Sequence, residues 1–240
     1  MSILYGRARL SPSVHAGFTI IELMIAISVL AMILLLTTMG IVRIGEGYYR
    51  GITQANTQQV ARSVLDSVSQ NIQFSGGDPT GPYSGSPGGG VTVKSSCIGK
   101  QRYSYILGYQ QTDTTSSANS TAKHTLWKDD LTGISCVPLN IGTAPPVIIG
   151  GTDDPGALDS GRELLGRNMR LTNFTIAIVP GSSTLYNVAV TVMYGDDDLI
   201  DKTGGIPNMP NWQCKPSNGL ISASFCAKSE LTTTVGKRLR

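Results

Sequence analysis

Phe18 and Glu22 stand four residues apart at the start of an apolar run that ends at Val42. Glu22 is the one charged residue in that run, which holds no proline. In a helix, four residues make about one turn, so the Glu22 side chain lies beside the backbone of Phe18. A cut between Gly17 and Phe18 would place a new α-ammonium one turn from the Glu22 carboxylate. Opposite charges at that spacing attract, and an acid in the first turn suits the positive end of the helix dipole. The same ammonium on a neighbouring copy would serve as well. A charge held in an apolar span is costly and marks a functional position by default. The chemistry on offer is therefore proteolysis that creates a counter-charge, which then sets the axial register between packed helices.

The run from Phe18 to Val42 is roughly 37 Å long as a helix. A bilayer core of about 30 Å needs roughly 20 apolar residues, so the run is long enough to cross with some tilt. In a secretory signal peptide the cleavage site follows the apolar region, whereas here the cut would precede it. A plain membrane anchor explains the hydrophobicity and leaves Glu22 without a purpose. The core helix of a soluble enzyme is rarely apolar all round for such a length.

Other reactive residues are few. Four cysteines, Cys97, Cys136, Cys214 and Cys226, form an even set in a domain placed outside the membrane, which argues for disulfides. Four cysteines allow three pairings, and the two local ones are the expectation here. By the chain-entropy model they would stabilise by roughly 4 and 3 kcal/mol respectively. A zinc site is disfavoured, because no Cys-x-x-Cys occurs and His124 is the only histidine after residue 17. Asp196, Asp197, Asp198 and Asp201, like Asp153 and Asp154, are candidate hard-oxygen ligands for calcium. Their spacing matches no defined calcium loop, and a solvated turn explains them more simply. Asn119-Ser120-Thr121 and Asn173-Phe174-Thr175 match the glycosylation sequon, a weak pattern. No Gly-x-Ser-x-Gly, His-Glu-x-x-His, phosphate loop or Rossmann fingerprint is present, so no enzyme and no cofactor are expected.

The stretch Gly17-Phe18-Thr19-Ile20-Ile21-Glu22-Leu23-Met24-Ile25-Ala26 resembles the processing site of type IV pilins and their pseudopilin relatives. The resemblance covers about the first quarter of the chain. It implies that a prepilin peptidase cuts after Gly17, that Phe18 is N-methylated, and that Glu22 sets register in a filament. Implied partners are other pilin subunits, the prepilin peptidase, the inner-membrane pilus assembly machinery, and membrane lipid before assembly. The length, the Cys214–Cys226 loop and the basic end at Lys237, Arg238 and Arg240 resemble minor pilins, which initiate or tip a filament. A type II secretion or competence pseudopilin is the nearest alternative. A membrane-anchored surface binding protein is the alternative of a different class.

These residues require positioning elements. Residues 1–17, with Arg7, Arg9 and His15 and no acid, read as a leader whose positive charge keeps that end cytoplasmic. The C-terminal domain then lies outside the inner membrane, and later on the pilus surface. Residues 18–42 form the membrane or filament-core half of a long helix, and residues 43–75 its amphipathic half. Gly40, Gly45, Gly47 and Gly51 make the junction its weakest part, open to melting, kinking or small-residue packing. Beyond it, Ala61, Val64, Leu65, Val68 and Ile72 repeat at three- and four-residue steps and should bury against a sheet. Together the halves would span roughly 85 Å.

Residues 76–240 read as a β-rich extracytoplasmic domain. Residues 76–90 form a Gly/Pro/Ser loop without periodicity, and Gly76 and Gly77 end the helix. Tyr103, Tyr105, Leu107 and Tyr109 alternate as in a strand, and Leu126-Trp127 suggest another. Thr172, Phe174, Ile176 and Ile178 share one face of a strand. A turn at Pro180-Gly181-Ser182-Ser183 then leads to a strand with Tyr186, Val188, Val190, Val192 and Tyr194 on one face. Residues 162–169 read as a short helix or turn. The expected fold is α+β and pilin-like, a long N-terminal helix packed on an antiparallel sheet with a disulfide-bounded C-terminal loop. The chain carries a net charge of +3. Two of those charges sit in the leader, so the remainder is nearly neutral and implies no nucleic-acid partner.

Overall fold

The computed structural model describes residues 17–86, 91–111, 124–131, 136–141, 147–148, 161–203, 205–206, 209–215 and 225–238. The leader before Gly17, the Asn119 sequon, Asp153, Asp154 and Arg240 lie outside the described residues. The chain divides into two compact units between Gly45 and Glu46.

Helix α1 (Ile20–Phe74) continues without interruption through Gly40, Gly45, Gly47 and Gly51. In the first unit its apolar side chains are exposed all round, from Ile20 at 82% to Val42 at 53%. By length and composition this segment is able to cross a membrane.

In the second unit α1 changes character. Thr57, Ala61, Val64, Val68 and Ile72 are buried, and Leu65 packs at the edge of the same stripe. The stripe is covered by two antiparallel sheets. The first contains β1 (Thr80–Gly85), β2 (Val93–Ile98), β3 (Gln101–Tyr105) and β4 (Leu126–Asp130) in sequence order. Strands β5 (Leu139–Asn140) and β6 (Val147–Ile148) pair with each other, and β7 (Arg162–Glu163) then adds to the free side of β4. The second sheet has the order β14-β9-β8, from β8 (Met169–Ile178), β9 (Leu185–Tyr194) and β14 (Ala227–Gly236). Between β9 and β14 lie two short pairs: β10 (Ile200–Asp201) with β13 (Gln213–Cys214), and β11 (Gly205–Ile206) with β12 (Met209–Pro210). A parallel bridge between Leu107 and Leu171 joins the two larger sheets.

One core runs through both sheets and the helix. Ile72 and Val68 share it with Tyr103 and Tyr105 of β3, Phe174 of β8, Val188 and Val190 of β9, and Val235 of β14. The expected hairpin is present, with one difference. A bulge between Leu171 and Asn173 changes the parity of β8, so Met169 and Leu171 enter the same core as Phe174. Ile176 still packs against the edge of this core, and Ile178 is exposed.

Three segments depart from expectation. Residues 80–85 of the expected loop form strand β1, paired with β2 and irregular between Thr80 and Tyr83. Residues 162–169, expected as a short helix or turn, hold the turn at 167–168, and strand β7 precedes it. Strand β14 pairs over its whole length with β9 and completes the second sheet.

Candidate functional site

Helix α1 opens at the residues that the charge argument singled out. Gly17, Phe18 and Thr19 precede its first turn, and Phe18 is 86% exposed. The Thr19 carbonyl accepts the first helical bond, from the Leu23 N–H at 3.2 Å, which makes Thr19 the cap residue. The Glu22 N–H donates to Thr19 Oγ1 at 3.3 Å. In return, Glu22 Oε2 accepts the Thr19 N–H at 3.0 Å and the Thr19 Oγ1 hydroxyl at 2.9 Å. This is a reciprocal capping box, in which two otherwise orphaned backbone donors are satisfied by side chains. Sequence reasoning missed Thr19, although the pattern Thr-x-x-Glu ahead of an apolar run is its signature.

Gly17 sits in open space. A Cβ there meets nothing within 4 Å, and its φ lies outside the left-handed region. Its own surroundings among the described residues therefore place no demand for glycine at this position.

The helix that follows keeps its polar groups to itself. Ser28 Oγ donates to the Ile25 carbonyl at 2.8 Å, Thr37 Oγ1 to the Ile33 carbonyl at 2.9 Å, and Thr38 Oγ1 to the Leu34 carbonyl at 2.7 Å. Hydroxyls bonded back to their own helix leave no donor unpaired in hydrocarbon, which suits a lipid-exposed span.

A family model described as the prokaryotic N-terminal methylation motif matches residues 13–38. The chain carries the methylation motif of type IV pilins and pseudopilins. No curated protein matches the chain, and no solved structure does. The motif fits the exposed apolar helix with its single acid at the start, and it speaks for a structural, non-enzymatic protein. It also implies processing by a prepilin peptidase and assembly with other pilins.

The remaining candidates lie in the second unit, and most are bound into its framework. Cys97 on β2 pairs with Cys136, and Cys214 on β13 pairs with Cys226 just before β14. Asp197 forms ion pairs with Lys202 and with the buried Arg170, whose Nη1 also donates to the Gly108 carbonyl at 3.3 Å. Partial burial pushes the Asp197 carboxyl up, but the Lys202 hydrogen bond and the Arg170 and Lys202 charges outweigh it. The group therefore titrates below the usual carboxylate range. Asp201 accepts the Thr203 N–H at 2.9 Å and its hydroxyl at 2.6 Å. Among the described residues no three His, Cys, Asp or Glu side chains gather as a metal site requires. Asn173 lies within β8.

One concave surface was not foreseen. A groove of about 630 Å³ runs between the outer side of α1 and the β4–β7 pair, lined by Gln58, Arg62, Asp66, Ser67, Lys128 and Arg162 among others. Lys128 and Arg162 are direct cross-strand neighbours. Burial first, and then the nearby Arg162 charge, lower the Lys128 ammonium below its ordinary range. Lys128 Nζ donates to Ser67 Oγ at 3.2 Å, which fixes the lysine against the helix. The lining offers charged, hydroxyl and amide contacts.

Proposed function

We propose that this chain is a structural subunit of a type IV pilus, a minor pilin acting in assembly, initiation or at the filament tip. The single observation that carries the reading is the lone acid, Glu22, at the first turn of a helix that is apolar and exposed for the length of a bilayer. In this reading a prepilin peptidase cuts between Gly17 and Phe18, and the new Phe18 amine is N-methylated. The glycine that the surrounding structure does not demand is then demanded by the peptidase. The C-terminal domain is held outside the inner membrane until the assembly machinery draws the helix from lipid into a filament core. There the amine of Phe18, on the same or a neighbouring subunit, meets the Glu22 carboxylate and sets the register.

The capping geometry supports this order of events. Both Thr19 bonds end on Glu22 Oε2, so among the described residues Oε1 is open to an incoming ammonium. The amide N–H of Thr19 survives a cut one residue earlier, so the cap and the new ion pair are compatible. For the minor role, the support is the resemblance of the Cys214–Cys226 loop and of the basic end, where Lys237 is anchored on Asp78 at 2.8 Å.

The same cap favours a second reading, a membrane-anchored surface binding protein, because it gives Glu22 a use that requires no cut. Mass spectrometry of the N-terminus of the chain purified from its host separates the two. A mature chain beginning at methylated Phe18 supports the pilin; an intact leader supports the anchor.

A further inference from the structure

Three of the exposed aromatic side chains of the second unit lie together. Tyr48 and Tyr49 pack edge to face with centroids 6.1 Å apart, and Tyr49 lies 5.9 Å from Phe225. All three remain exposed, at 66%, 55% and 41%. Ile52, one turn on, is also exposed, so the rings belong to a continuous apolar patch. Single exposed apolar residues need no explanation, whereas a contiguous cluster marks a contact surface.

Two features say what covers this one. Tyr48 follows the apolar run by only six residues of chain, close enough in sequence to reach the headgroup layer that borders a bilayer core. Tyrosine rings concentrate at that level, with an apolar body in the acyl boundary and a hydroxyl in water. Arg43 and Arg50 bracket the pair with cations suited to lipid phosphates. Phe225, far away in sequence, is delivered to the same place by the fold. It immediately precedes Cys226, which is tied to Cys214, and the paired strand β14 begins one residue later. Gly195 allows the chain to pass closely there, since a Cβ would lie 3.2 Å from the Phe225 carbonyl oxygen.

We propose that Tyr48, Tyr49 and Phe225 form a lipid-docking surface that seats the extracytoplasmic domain on the outer leaflet before the subunit is assembled. The proposal rests on the membrane reading of Ile20–Val42 and adds a contact made by a residue outside the helix. The disulfide to Cys226 then has a use beyond stability, because it fixes a hydrophobic finger against the headgroup layer.

The test uses the full chain in mixed phosphatidylethanolamine and phosphatidylglycerol vesicles with a phosphatidylcholine photoprobe that reacts near the glycerol backbone. Adducts are mapped by peptide mass spectrometry. Labelling of the Tyr48–Tyr49 and Phe225 peptides, several-fold above the equally exposed Phe74 and Tyr83, is the expected result. Labelling within Ile20–Val42 without Phe225 overturns the proposal and leaves the span intact. The same holds if Phe225 labels no more than Phe74 and Tyr83. Absence of label throughout Ile20–Val42 overturns the membrane reading itself.

Discussion

Thr19 and Glu22 exchange hydrogen bonds across the first turn of α1, with both Thr19 donors converging on one carboxylate oxygen of Glu22. The acid is thus already in use before any cut is made. Its charge has a local partner in Thr19, besides the ammonium that a cut would create. Capping and charge pairing are separable, because a glutamine at the third helical position still serves a capping box while carrying no charge.

The fit of α1 against its sheets is the main source of stability in the second unit. Ile72 is fully buried among Tyr103, Phe174 and the β9 valines. Ile72→Ala should cost about 2–5 kcal/mol in urea unfolding of the detergent-solubilised chain. Arg62→Ala, on the exposed side of the same helix, should stay within about 0.5 kcal/mol. Equal effects would mean that the stripe is not what holds the helix.

A buried ion pair lies one strand away. The Arg102 guanidinium donates through Nε to Asp129 Oδ1 at 3.1 Å and through Nη2 to Oδ2, and its Nη1 donates to the Val137 carbonyl at 3.0 Å. Asp129→Ala leaves that cation buried without its carboxylate and should cost about 3–5 kcal/mol. The double variant Arg102→Met/Asp129→Leu should recover most of the loss, since burying two charges is itself costly. A double variant as unstable as the single one would contradict this.

The chain end is held by a titratable contact. Asp78 accepts a hydrogen bond from Lys237 Nζ at 2.8 Å and one from the Tyr186 hydroxyl at 3.0 Å. The Lys237 bond first, and then that of Tyr186, hold the carboxyl below its ordinary value. A lowered folded-state value means stability that is present above the unfolded pKa of about 3.9 and lost as pH falls through the folded one. Asp78→Asn should therefore lower Tm at neutral pH, and the gap to wild type should close in acid below about pH 4. A gap that does not change with pH would assign the contact no charge dependence.

Much of this architecture was legible in the residues. The stripe of Ala61, Val64, Val68 and Ile72 has a helical period, and the β8–β9 hairpin alternates around a clear turn, so both follow from local pattern. Strand β14 was not legible, because Leu231-Thr232-Thr233-Thr234-Val235 lacks clean alternation and is held by its partner β9. Strand β1 was hidden by Gly81, Pro82 and Gly85, residues that read as a loop until β2 pairs with them. Strand β7 is two residues long, and its Glu163 earns its place tertiarily. Its carboxylate accepts the backbone N–H groups of Thr125, Leu126 and Leu165. The Thr19 cap is legible in the residues too, because Thr-x-x-Glu ahead of an apolar run is the sequence signature of a capping box.

The account turns on the charge of Glu22 at the filament core. The most direct measurement is the amount of Glu22→Gln chain recovered in sheared filaments, beside wild type and Thr19→Val, with each N-terminus sequenced. Glutamine retains the cap but not the charge, whereas Thr19→Val removes the cap's hydroxyl and keeps the charge. The account predicts that Glu22→Gln is cut at Gly17 yet largely absent from filaments, while Thr19→Val is incorporated close to the wild-type level. Normal incorporation of Glu22→Gln, together with loss of Thr19→Val, would assign Glu22 to capping alone and contradict the account.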